Sequence, residues 1–97
     1  MRVARVVGQV VSTAKPASIA GRTILLVHDL DPAAPERVVG TPYAVVDLVG
    51  AGRGEVVLVA AGSAARVDEE LASAPVDAAV IGIIDSLIVE NEVTYDK

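Results

Sequence analysis

The sequence predicts an all-β fold, a small closed or nearly closed barrel of Greek-key type made of five or six short strands with one brief helix. Three observations carry this. Val, Ile and Thr supply 29 of the 97 residues, and β-branched side chains fit a pleated surface better than a helix. They arrive in short runs separated by Gly and Pro clusters, the punctuation of strands and turns. The length suits one domain, residues 1–97, and closing so small a sheet on itself removes exposed edges.

The first run, Arg2 to Thr13, is long, and its apolar positions change phase around Val6, Val7 and Gly8. A glycine at such a phase change marks a bulge or bend, so a curved strand is expected. Ala14 to Ser18 breaks the pattern at Pro16, which lacks a ladder donor. Thr23 to Asp29 is the second strand, and Asp31-Pro32-Ala33-Ala34-Pro35 is turn material. Val38 to Val49 is β-rich and runs into Gly50-Ala51-Gly52, where glycines supply backbone angles that other residues resist. Glu55 to Ala60 is the fourth strand. Gly62-Ser63-Ala64-Ala65-Arg66 reads as a short helical turn with Ser63 as its N-cap. Val67 to Ser73 reads as an exposed loop with at most one helical turn, closed by Pro75.

From Val80 to Val89 both alternating faces are largely apolar, with Ile81, Ile83 and Leu87 on one and Val80, Ile84 and Ile88 on the other. An antiparallel sheet normally turns one face to water. Glu90-Asn91 then offers a two-residue turn, in which Asn accepts positive φ, and Val93 to Tyr95 returns as a C-terminal hairpin. Val, Ile, Leu and Met together number 33. A domain of this size buries only roughly 60–65% of its unfolded surface, so one copy has more apolar material than it can hide. Several exposed Ile or Leu side chains, each worth ~1.5–3 kcal/mol when buried, favour association, and a homo-oligomer is expected.

Composition narrows the function. A net charge of −5 disfavours nucleic acid and acidic membranes, whose affinity for proteins comes from Lys and Arg. Nucleic-acid binding by a barrel also needs stacking aromatics, and this chain has Tyr43 and Tyr95 alone. Zero cysteines removes disulfides, thiolate metal sites and thiol catalysis. Met1 to Val11 shows no signal peptide and no apolar run approaches a spanning helix, so a cytoplasmic location is expected.

Candidate chemistry is thin. Gly50-Ala51-Gly52-Arg53-Gly54-Glu55 starts like a dinucleotide fingerprint, but Glu55 stands at the third-glycine position and a strand follows, so a turn is the better reading. His28 is the single histidine, too few for a metal site within one copy, and it reads as an ordinary polar strand position. No serine lies in a nucleophile elbow. Asp85, inside the apolar C-terminal run, needs a partner if buried, with Arg66 the candidate, or else sits exposed at a bend. A carboxylate dyad of Asp85 with Asp47 or Asp77 has nothing to recommend it. No catalytic residue, cofactor or metal is expected.

Four motifs taken together are specific: Gly8-Gln9-Val10-Val11-Ser12-Thr13 with Lys15; Asp47-Leu48-Val49-Gly50-Ala51-Gly52 followed by Gly54-Glu55; Gly62-Ser63-Ala64-Ala65-Arg66; and Pro75 through Asp85. In this order they resemble the bacterial microcompartment vertex proteins, the EutN/CcmL family. The resemblance implies a five-stranded OB-like barrel assembled as a cyclic pentamer that caps shell vertices without catalysis, with itself and hexameric shell proteins as partners. It implies subunit-contact or near-axis positions at Gly50, Ala51, Gly52, Gly62, Ser63, Arg66, Ile83, Asp85 and Leu87, with Pro75 to Asp85 leading into the hairpin. Family members often carry Trp after the Glu of the second motif, where this chain has Val56. The reading from a different class is an oligomeric OB-like module that binds a small ligand or nucleic acid.

Overall fold

Alternation of buried and exposed side chains starts the barrel. The computed structural model describes residues 1–12, 21–62 and 77–97. In β1 (Arg2–Val10) Ala4 and Val6 point inward; the register with β2 (Ile24–Asp31) then shifts between Val6 and Gly8. This is the bulge that the phase change predicted, and it turns Val7 outward at 40% exposure. β3 (Ala34–Asp47), β4 (Val56–Ala61) and β5 (Ala78–Ile83) complete a closed barrel in the order β1-β2-β3-β5-β4. All its neighbours are antiparallel except β3 and β5, which pair in parallel through Val46 with Ala79 and Asp47 with Val80.

A barrel this narrow is filled by small branched side chains. Its core is Ala4, Val6, Leu25, Val27, Val45, Val57, Val59 and Val80, with Tyr43, Ala51 and Ala78 packed against it. The largest fully buried side chains are all valines, Val56 among them. Each contributes about 1.5–3 kcal/mol through burial.

β2 and β3 extend past the barrel as a two-stranded ribbon. Its turn is Pro32-Ala33, closed by the Ala33 N–H donating to Asp31 Oδ1 at 2.9 Å. The predicted punctuation is therefore confined to two residues, and strand resumes at Ala34. Residues 36–42 are all exposed, including Val38 at 58% and Val39 at 53%.

The C-terminal run corrects the sequence reading. Val80 to Val89 is divided: β5 ends at Ile83, and β6 (Ser86–Val89) pairs with β7 (Glu92–Asp96) in a separate two-stranded sheet. The Ile84 N–H still donates to the Val56 carbonyl at 2.8 Å, and at Asp85 the chain leaves the barrel, its carbonyl accepting the Lys97 N–H at 2.8 Å. The hairpin itself forms as expected, with Glu90 (φ 51) and Asn91 (φ 68) both in the left-handed region that suits a two-residue turn. Among the described residues there is no α-helix, Gly62 alone has 3-10 character, and no helix is long and apolar enough to cross a membrane. The helical turn expected at Gly62 to Arg66 lies, beyond Gly62, outside the described residues, as do the loops expected at Ala14 to Ser18 and Val67 to Ser73.

Candidate functional site

The loop between β3 and β4 is organised by two carboxylates. Asp47 ends β3 with its side chain buried, and it accepts backbone N–H bonds from Val49 and Gly50 at 3.1 Å each on Oδ1 and from Ala51 at 2.9 Å on Oδ2. Both oxygens are committed to holding the loop, so Asp47 is a structural cap rather than half of a catalytic dyad. Glu55, eight residues after Asp47, accepts the Gly52 N–H on its Oε1 at 2.6 Å. Gly50 (φ +79) and Gly54 (φ +88) need glycine for their backbone angles. Gly52 does not; a Cβ there would sit 3.4 Å from Glu55 Oε1.

The end of the C-terminal hairpin is fastened to this loop. Lys97 Nζ lies 2.9 Å from Glu55 Oε2, and this hydrogen bond, aided by the Gly52 N–H, holds the Glu55 carboxyl below its ordinary range while raising Lys97. Arg5 Nη1 donates to the Gly54 carbonyl at 2.8 Å, and its guanidinium lies 6.0 Å from the centre of the Tyr95 ring. Farther along, the Thr94 hydroxyl donates to the Pro32 carbonyl at 2.6 Å. The hairpin thus bridges the loop and the tip of the β2–β3 ribbon.

Ala51 packs on the core from the loop that also carries Gly50 and Gly52. Ile83 closes β5 opposite Val57, and Leu87 lies on β6 opposite Tyr95; both are half-buried. Asp85 is exposed at the corner between them, which is the bend reading, so it needs no buried partner. Gly62, with φ +64, donates its N–H to the Asp77 carbonyl at 2.7 Å. Ser63 and Arg66 lie outside the described residues. His28 sits where the β2–β3 register shifts, and its Nε2 donates to the Gly40 carbonyl at 2.7 Å. Among the described residues no group of three His, Cys, Asp or Glu is placed to hold a metal.

Two features escaped the sequence reading. The capping role of Asp47 was signalled by an Asp followed closely by glycines, the usual setting of a carboxylate that binds its own downstream N–H groups. The second is the cross-strand pair Ile88 and Val93, 67% and 62% exposed on the hairpin. Its signal was the register that a two-residue turn imposes.

Residues 1–85 match the family described as "Ethanolamine utilisation protein EutN/carboxysome". The chain is 46% identical over 97 residues to the carboxysome shell vertex protein CcmL of Synechococcus elongatus, covering all of this chain and 96% of that protein. It superposes on the CcmL structure from Gloeobacter violaceus with a TM-score of 0.91 at 42% identity, covering 100% and 98% of the two chains. For the pentameric microcompartment shell protein GrpN from Rhodospirillum rubrum the TM-score is 0.80 at 41% identity, with 94% and 100% covered. A valine-filled five-stranded barrel, a carboxylate-capped glycine loop and similarity in sequence and shape along nearly the whole chain lead to one assignment: the chain belongs to the EutN/CcmL family.

Proposed function

We propose that this chain is a structural protein, a homopentamer that caps the five-fold vertices of a bacterial microcompartment shell, and that it acts by shape and contact rather than by catalysis. The observation that carries this reading is the end-to-end similarity to shell vertex proteins, one of them described as pentameric. Uncovered apolar side chains on the single copy support it: Val7, Val38, Val39, Ile88 and Val93 are each at least 40% exposed. A head-to-tail ring shelters different patches of each copy on its neighbours. The shell is then the place of action, and hexameric shell proteins are the partners at the rim of the pentamer. The Gly50 to Gly52 loop, Gly62, Ser63 and Arg66 are assigned to subunit contacts or the region near the axis, together with Ile83, Asp85 and Leu87.

Native mass spectrometry at micromolar concentration tests the assembly. A species of five 9.9 kDa chains is expected, and a chain that stays single rejects the proposal. Deleting the gene in its host tests the role: elongated or unsealed shells are expected, with cargo activity retained in lysate, whereas normal closed shells contradict it.

A further inference from the structure

One end of the barrel carries a groove of about 600 Å³ between the β1 bulge, the start of β2 and the glycine loop. Its lining includes Val7, Gly8, Leu25, Ala51, Gly52 and Arg53. Its shape follows from the sequence: Gly8 removes a side chain from the wall, the bulge swings Val7 to the edge, and the loop held by Asp47 presents Ala51 and Gly52 as a low opposite wall. Arg53 is exposed on the rim, and among the described residues it has no hydrogen-bond or ion-pair partner.

Elsewhere on the chain is a surface of complementary form and charge. Ile88 and Val93 stand opposite one another on the hairpin, a register shift setting them apart from the half-buried Leu87 and Tyr95 pair, and both are exposed. Exposed Glu90 and Glu92 flank this apolar pair, and among the described residues neither carboxylate has a partner. The hairpin is tied to its own chain through Lys97 on Glu55 and Thr94 on Pro32, contacts that leave the Ile88 and Val93 pair uncovered. The other exposed apolar pair, Val38 and Val39, lies beside Glu36 and Arg37, whose charges cancel, and so offers no such complement to Arg53.

We infer that the groove beside Arg53 receives the Ile88 and Val93 pair of a second copy of this chain, with Glu90 and Glu92 drawn to Arg53 across the contact. Groove and projection are different patches, so the contact is head-to-tail and each copy has one of each, as ring closure requires. The inference rests on the pentamer reading and names the surfaces that build it.

The natural absence of cysteine makes thiol cross-linking a clean test. The Val7→Cys, Ile88→Cys double variant, treated with a short bifunctional maleimide, is expected to give covalent species of up to five chains on a denaturing gel. Val38→Cys with Ile88→Cys is expected to give no such ladder. A double variant that is pentameric by native mass yet yields no inter-chain product overturns the groove assignment and leaves the pentamer standing. A parent chain that is monomeric removes the pentamer reading itself, and this inference with it. Charge reversal is an independent measure: Arg53→Glu is expected to raise the concentration needed for assembly at least tenfold, and adding Glu90→Arg and Glu92→Arg to restore it. Unchanged assembly in Arg53→Glu, or no recovery in the combined variant, counts against the contact.

Discussion

The Tyr43 hydroxyl donates a 2.6 Å hydrogen bond to Asp29 Oδ1, while the other oxygen of the same carboxylate lies 3.2 Å from Arg2 Nη1. The Arg2 guanidinium also lies 5.6 Å from the centre of the Tyr43 ring, so β1, β2 and β3 are tied by one small network. Burial, and then the Asp29 carboxylate, push the Tyr43 hydroxyl up from 10.0 to about 12. A folded-state value above the unfolded one means that the contribution to stability is complete below pH 10 and is lost as pH rises through about 12. In a Tyr95→Phe chain, tyrosinate absorbance is expected to appear near pH 12 rather than 10. Asp29→Asn should move that titration downward; no movement would show that the carboxylate does not matter.

Asp47→Ala leaves three loop N–H groups without their acceptor and is expected to destabilise the chain by roughly 2–3 kcal/mol, since a hydrogen bond to a charged group contributes about 1.5–3 and water recovers part of the loss. Asp47→Asn keeps one acceptor oxygen and should lose about half as much. Urea midpoints at one fixed protein concentration measure this, because assembly makes apparent stability depend on concentration. Equal midpoints for Asp47→Ala and the parent would refute the capping role.

Two glycines with room for a Cβ should behave oppositely. A Cβ at Gly54 meets nothing within 4 Å, but φ is +88, so Gly54→Ala should destabilise by about 1–2 kcal/mol through backbone conformation alone. At Gly82 the Cβ would make ordinary contact with Leu58 Cβ at 3.8 Å on a strand backbone. Gly82→Ala is expected to be neutral or mildly stabilising. Thermal melts of the two variants in the same buffer compare them directly.

The Lys97 to Glu55 bond makes a spectroscopic prediction. Lys97→Met removes the main cause of the lowered Glu55 carboxyl, so its NMR titration should climb back toward 4.5. The depressed folded value makes any contribution to stability present above pH 4.5 and lost as pH falls below it, and the exposure of the pair keeps that contribution small.

Ile83 and Leu87 are half-buried in the single copy. Replacing either with Asp drives a charge into the core or into a subunit contact, and both variants are expected to lose the pentamer in native mass spectrometry. Intact pentamers from both would remove these two positions from the assembly surface.

The features legible from the residues are those with local causes. The β1 bulge follows from a phase change at Val6 to Gly8, the hairpin from Glu90-Asn91 between apolar partners, and the loop after Asp47 from closely spaced glycines. Each depends on side-chain alternation or backbone angle within a few residues, and each was present in the linear pattern. Tertiary structure decided the rest. An unbroken apolar run from Val80 to Val89 does not say where the barrel stops; the Val56 carbonyl and the Lys97 N–H, both distant in sequence, set the departure at Asp85. Alternation likewise gives two faces to a strand without saying which one water meets, and pairing with β7 left Ile88 uncovered while Leu87 was partly sheltered. Non-local pairing determines which periodic face becomes core, and the side chains it leaves outside are the ones available to hold copies together.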